Sequence, residues 1–387
     1  MRILLVTANF RPSVGGIERF VEILAEGLAE RGHEVTVATC RTRGAPATEQ
    51  SGAVRIVRIR ASDLPRERLG VPYPLPEPFA AVRTLRALLG DADVVHAQDA
   101  LYLTTVASLL LARRLDVPSV LTQHVAFVPQ GRVSLDLAQR AAIATLGRSA
   151  RLADVVTTVN PSVADWARRT WGLREVRPLP VGVPVSAITE DERTAVRREL
   201  GIEDGRFVAL FAGRDVPKKR LDVFIAASDP AYDLIAVTDR RETAPGVRFL
   251  PLTSPERFRS LLGAVDAFVL PSEGEGLPLS LQEALVAGLP CVVTREPGYE
   301  RFLSQDDALF VAPDAGAIRE ALLRLELDPA QRQQLAERAR RTGHRSFAVD
   351  AFLGAYQQLY EETSRTRAQH AGRERPENKP RGSTSSS

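Results

Sequence analysis

The sequence predicts an α/β chain made of two doubly wound, parallel-sheet, Rossmann-like units that face each other across a cleft. Three observations carry this. Short apolar runs alternate with helical patterns along most of the chain. The runs are near-continuous rather than alternating, as strands buried on both faces require. A proline-rich break near the middle is followed by a restart of the same pattern. A chain of 387 residues is long enough for each unit to bury its own core.

In the first unit Ile3–Val6 reads as a buried strand, and Ile17, Phe20, Val21, Leu24, Ala25 and Leu28 recur at helical spacing after it. Gly32-His33 ends that helix, and Val35–Ala38 starts the next strand. Val54–Ile59, Val94–Val95, Val120–Leu121 and Val155–Val159 read as further strands, with helices near Phe79–Leu89, Leu101–Arg114, Leu135–Ala150 and Ser162–Thr170. The break is Arg177–Pro184, with three prolines and a glycine in eight residues. Beyond it come strands at Phe207–Phe211, Leu234–Val237, Val247–Leu250, Ala267–Leu270 and Cys291–Val293, with helices at Leu221–Ala227, Pro255–Leu262 and Leu281–Ala287. The last helix, near Val349–Thr363, carries Phe352, Tyr356, Leu359 and Tyr360 on one stripe. The chain therefore divides into residues 1–180, residues 181–345, a helix over 346–364 expected to cross back to the first unit, and a basic tail over 365–387 expected to be disordered.

Composition narrows the function. Net charge is +3. The stretch from Arg365 to Arg381 holds five arginines and one lysine against two glutamates, so the body is about neutral and nucleic acid is not an expected partner. No apolar run approaches the roughly 20 residues of a membrane span, and no leader peptide is recognised at the N-terminus. Cys40 and Cys291 sit among β-branched residues and read as buried thiols, which fits a reducing cytoplasm. A peripheral contact of the basic end with the inner face of a membrane is left open.

Five segments fall at strand ends, where doubly wound sheets bind ligands. Gly15-Gly16 opens the first helix and offers bare backbone N–H groups to an anion. It lacks the spaced glycines of dinucleotide enzymes. Arg214, Lys218, Lys219 and Arg220 cluster after strand Phe207–Phe211, although the chain has only three lysines. Four cations there suit a diphosphate. The third segment, Pro271–Ala284, places Glu275 in a glycine-rich loop and Glu283 in the helix after it. Loop amides and a helix N-terminus hold phosphate, and carboxylates accept hydrogen bonds from sugar hydroxyls. His124 ends strand Pro118–Leu121, and His96 ends another. A histidine at such a place is more often structural than catalytic, and His96 is taken as structural. Asp91-Ala92-Asp93 precedes a strand, at the wrong end for the cleft, so no Asp-x-Asp metal site is expected.

Together these segments resemble the retaining GT-B glycosyltransferases of glycosyltransferase family 4, the group of phosphatidylinositol mannosyltransferases and sucrose synthase, over roughly residues 1–363. The most specific part is Glu275, seven intervening residues, then Glu283, followed by Gly288-Leu289-Pro290. Gly32-His33-Glu34-Val35 and Asp93–His96 match landmarks of the first unit. The resemblance implies a nucleotide-sugar donor, UDP- or GDP-linked, bound by the second unit. It implies a hydroxyl acceptor on a small molecule, glycan or lipid-linked carrier, bound by the first. It implies transfer with retention and no metal or other cofactor. In that scheme Arg214 and Lys219 neutralise the diphosphate, Glu283 holds the ribose and Glu275 the donor sugar. Gly276, Leu277 and Leu279 line the donor, Gly15 and Gly16 approach it from the opposite unit, and His124 lies near sugar and acceptor. Leu64–Pro78 and Val125–Val133 are candidate acceptor loops.

Three departures stand out. Val181 and Pro184 replace the linker's usual Asn and Asp, Arg220 replaces a glycine, and Thr238-Asp239-Arg240 runs to Val247 without the usual helix. Two other readings of the same residues stay open here, a non-catalytic accessory subunit and a nucleotide-sugar epimerase.

Overall fold

The structure is a computed structural model that describes residues 1–13, 15–62, 73–127, 133–184, 188–240, 242–274 and 276–373. Glu275, most of the two candidate acceptor loops and the end of the basic tail fall outside the described residues.

The first half contains β1 (Arg2–Val6), α1 (Gly16–Glu30), β2 (Glu34–Cys40), β3 (Thr48–Ser51) and β4 (Val54–Ile59). A small hairpin of β5 (Ala61–Ser62) and β6 (Leu75–Pro76) leads to α2 (Pro78–Asp91), β7 (Val94–Gln98), α3 (Leu103–Leu115) and β8 (Ser119–Gln123). Then come α4 (Val133–Thr145), a 3-10 segment (Leu146–Leu152), β9 (Val155–Thr158), α5 (Pro161–Trp171) and β10 (Arg177–Pro178). The sheet order is β10-β9-β8-β7-β1-β2-β4-β3, parallel except for the edge pair β3–β4.

The second half contains α6 (Glu190–Glu199), β11 (Val208–Ala212), α7 (Leu221–Ala226), β12 (Asp233–Val237), β13 (Val247–Leu250) and α8 (Pro255–Ala264). It continues with β14 (Ala267–Leu270), α9 (Leu279–Ala287), β15 (Cys291–Thr294), α10 (Pro297–Glu300) and β16 (Leu309–Val311). Helices α11 (Ala315–Leu327), α12 (Pro329–Phe347) and α13 (Val349–Arg373) close the chain. The order β13-β12-β11-β14-β15-β16 is all parallel. Both sheets thus reverse direction beside their first strand, at β1/β7 and at β11/β14, and each reversal opens a crevice at the strands' carboxyl ends.

Burial explains why these runs are strands. Every residue of β7, β8, β11, β14 and β15 is buried, and the helices lie over both faces. The connection from β12 to β13 holds no helix among the described residues, although the strands are parallel.

Two expectations are corrected. The proline-rich break is only partly a linker, because Arg177–Pro178 joins the first sheet beside β9 and Val183 bridges to Ala348. The tail expected to be disordered from residue 365 is helical to Arg373. The guanidinium of Arg367 holds that turn in place by donating to Asp116 (2.8 Å) and Asp154 (2.5 Å) of the first half.

Helix α13 packs on the first half. Phe352, Tyr356, Leu359 and Tyr360 join the core of β1, β2 and α1. Burying an apolar side chain such as Phe352 contributes about 1.5–3 kcal/mol.

Candidate active site

Pairing in register puts His96 and Gln98 of β7 beside Val120 and Thr122 of β8. Side chains alternate faces along a strand, so His96, Gln98, Thr122 and His124 share one face while Asp99 and Gln123 share the other. The first face is covered by Phe20 of α1 and by Tyr356 and Tyr360 of α13. His96 hydrogen-bonds the Tyr360 hydroxyl through Nδ1 (2.7 Å) and the Thr122 hydroxyl through Nε2 (2.6 Å). It is fully buried and structural. His124 lies at the carboxyl end of β8, with Nε2 2.9 Å from Oε1 of Gln98 and its ring edge-on to Phe20. Burial pushes its pKa down to about 3, so the imidazole is neutral.

Helix α1 begins at Gly16 with Gly15 as N-cap and no capping side chain. A Cβ built on Gly16 meets nothing within 4 Å. One turn on, Arg19 faces the second half, where its charge acts on Glu283. Helix α9 also starts without a capping side chain, at Leu279. Both helices therefore present N–H groups to the gap.

In the second half two loops are tied together beyond β11 and β14. The Glu273 N–H donates to the Lys218 carbonyl (2.8 Å), and the Ser280 hydroxyl donates to the Ala212 carbonyl (3.3 Å). The Lys219 stem lies over Gly213, 3.3 Å from where a Cβ would be. Arg214 is exposed, and its guanidinium has no hydrogen bond or ion pair among the described residues. Arg220 is different. Its guanidinium is ion-paired with Glu273 and lies 3.5 Å from Asp222.

Gly276 sits where the halves touch, since a Cβ there would come 2.7 Å from Nδ2 of Asn160, the N-cap of α5. Leu279 packs on the first core as well as the second, while Leu277 packs on the second and its carbonyl accepts from Gln282 (3.0 Å). So Gly276, Leu279 and Glu283 lie toward the first half, and the Lys219 stem lies beside the end of β11 that Ser280 of α9 bonds. Glu275 lies outside the described residues.

Two sequence families cover most of the chain. Residues 14–208 match Glycosyltransferase Family 4, and residues 229–342 match Glycosyl transferases group 1. The chain belongs to glycosyltransferase family 4. It is 30% identical to a GDP-mannose-dependent alpha-mannosyltransferase of Mycobacterium tuberculosis, over 83% of this chain and 81% of the relative. It is also 30% identical to a D-inositol 3-phosphate glycosyltransferase of Geodermatophilus obscurus, over 90% and 86%. Its fold is similar to sucrose-phosphate synthase from Thermosynechococcus elongatus, with a TM-score of 0.75 at 22% identity, covering 93% of this chain and 98% of that one. Like its family, this glycosyltransferase moves a sugar from a nucleotide-sugar donor.

Sequence reasoning missed one feature of the transferase's first half. Asp99, just past β7, adopts a left-handed backbone (φ 55°) and is buried. Burial raises its pKa to about 6, against the Leu101 N–H (3.2 Å) and the Gln123 amide (3.2 Å), which donate to it. A carboxylate directly after a buried strand was the available signal.

Glu283 of the transferase gives a pH test. Burial drives its pKa up from 4.5 to about 7, opposed by Arg19 and Arg259 and reinforced by Glu22. Between those values the unfolded chain releases a proton that the folded chain keeps. The residue's contribution to stability is therefore full below pH 4.5 and lost as pH rises to about 7. Glu283→Gln is expected to melt higher than wild type at pH 8, with the gap closing at pH 4. Thermal unfolding at both pH values checks this, and an equal offset at each would contradict it.

Proposed function

We propose that the chain transfers a hexose from a UDP- or GDP-sugar to a hydroxyl acceptor, with retention and without a metal. The observation that carries this reading is the tied pair of loops at the ends of β11 and β14, which brings Lys219 to the start of α9. Fixed cations and helix N–H groups there suit a departing diphosphate. The bond from C1 of the sugar to the diphosphate breaks, and the acceptor oxygen bonds C1 on the same face. The acceptor proton leaves with the nucleoside diphosphate. Arg214 and Lys219 stabilise the leaving group, Glu283 holds the ribose, Glu275 the sugar, and Gly15 and Gly16 approach the diphosphate. Two relatives support the alternatives for donor and acceptor, one named for GDP-mannose and one for an inositol phosphate.

Thermal shift with UDP and GDP identifies the base, because a ligand bound only to the folded state adds about 2.7 kcal/mol at a hundredfold excess over Kd. The matching donor should then give an α-linked product from an α-linked donor, at the same rate in EDTA. An inverted product or loss of activity in EDTA would refute this mechanism. Conversion of the donor without an acceptor would favour the epimerase.

A lipid-linked acceptor is supported by the outer face of the first half. Phe79 (87% exposed) begins α2, and Val133 (83%) and Leu137 (67%) lie on α4, with exposed Arg83, Arg86 and Arg148 on the same pair of elements and the 3-10 segment. Apolar tips among arginines suit an anionic lipid surface. The chain is expected to sediment with phosphatidylglycerol vesicles and not with phosphatidylcholine. The triple change Phe79→Ser, Val133→Ser and Leu137→Ser should abolish this, and equal sedimentation of the variant would refute the docking face.

A further inference from the structure

We propose that Gln98 is a positioning residue that holds the His124 proton on Nε2, so that His124 presents an unprotonated Nδ1 to the donor sugar as a hydrogen-bond acceptor. This rests on the reading that places His124 near the sugar.

The argument starts from the Gln98 amide, which is fully buried at the end of β7. Its Nε2 donates to the His96 carbonyl (3.5 Å), an acceptor only. Turning the amide over would set its oxygen against that carbonyl oxygen in a fully buried place. Oε1 must therefore face Nε2 of His124, 2.9 Å away. An amide oxygen only accepts, so Nε2 of His124 is the donor. A neutral imidazole carries one proton, and the hydrogen bond made by one nitrogen decides the state of the other. His124 is neutral because, among the described residues, no carboxylate compensates its burial. Its neighbours on that face are the Phe20 ring from α1 and His96 of β7, which burial also holds neutral, with a pKa pushed down to about 3. Asp99 points to the other face and is held by Gln123. Nδ1 has no hydrogen bond among the described residues.

The chemical consequence is a division of labour. A neutral Nδ1 accepts from a sugar hydroxyl and cannot donate to the departing phosphate. Stabilising that charge then falls to Arg214, Lys219 and the helix N–H groups.

The test uses the full chain with 15N-labelled histidine, without substrates, at pH 7.5. Long-range nitrogen–proton correlations are assigned to His124 by comparison with His124→Asn. The expected pattern is a neutral ring protonated on Nε2. Gln98→Leu should give a mixture of tautomers and lower kcat by roughly tenfold or more, the order found when a ring's orienting partner is removed, with a smaller change in donor KM. Gln98→Glu places a carboxylate beside the ring and is expected to draw a second proton onto it, giving an imidazolium and no recovery of kcat. An Nδ1-protonated ring or an imidazolium in the wild type overturns the proposal, and so does Gln98→Leu with an unchanged tautomer and rate. If Gln98→Leu does not fold, the wild-type spectrum still decides. A chain with the Nε2 proton in place and no transfer activity would sink the reading of the site and leave the tautomer standing.

Discussion

Replacing Lys219 with alanine is expected to lower kcat by ~100-fold or more, the usual loss for one preorganised charge contact on a developing negative charge. Its stem crosses Gly213 at the end of β11, and the next turn is anchored by the Glu273–Lys218 backbone bond. The Lys219 stem is thus held by rigid elements, so the proposed role asks for little reorganisation during the reaction. Charge on the diphosphate grows as its bond to the sugar breaks, so kcat should fall more than donor affinity. Lys219→Arg should recover part of the loss, because it restores the charge with a different shape. Steady-state kinetics on folded variants checks this. Turnover by Lys219→Ala within a few-fold of wild type would remove the residue from the diphosphate site.

Gly16→Val is expected to lower kcat/KM by ~100-fold, the loss that follows from a misplaced substrate, while leaving the melting temperature unchanged. The two halves of this expectation come from one observation. A Cβ at Gly16 meets no described atom within 4 Å outside its own helix backbone, so the first carbon of a side chain fits there. Valine is also no worse a helix former than glycine. Gly16 opens α1, one turn before Arg19, whose charge acts on Glu283. A donor diphosphate approaching that helix end would meet the new methyl groups. Full activity in the valine variant would show that the donor passes elsewhere.

Much of this arrangement is legible in the sequence because it is local. Strands such as Val208–Ala212 and Ala267–Leu270 announce themselves as apolar runs, and the segments after them carry Arg214, Lys219 and Gly276. What escapes reading is non-local or weakly patterned. Helix α6 has one buried residue, Val196, and its only clear sign is the capping box of Thr189 and Glu192. Asp99 gains its setting from Gln123, on the neighbouring strand. The role of Gln98 depends on a carbonyl and a ring brought together by sheet register. Composition marks the chain's end as disordered from residue 365, yet Arg367 finds two aspartates far back in the sequence and extends the helix. Glu283 is picked out by the resemblance of its segment to the family's, but its burial and the nearness of Arg19 of α1 are not readable from the sequence.

Helix α13 also bears on how the chain is made. Helix α13, made after both sheets, supplies Phe352, Tyr356 and Tyr360 to the core of the first half. While the ribosome works through the second half, α1 and the first sheet wait with an apolar flank uncovered and the hydroxyl partners of His96 and Thr122 missing. The nascent first half is thus held short of its finished state until α13 emerges, a period in which it depends on being shielded from neighbours.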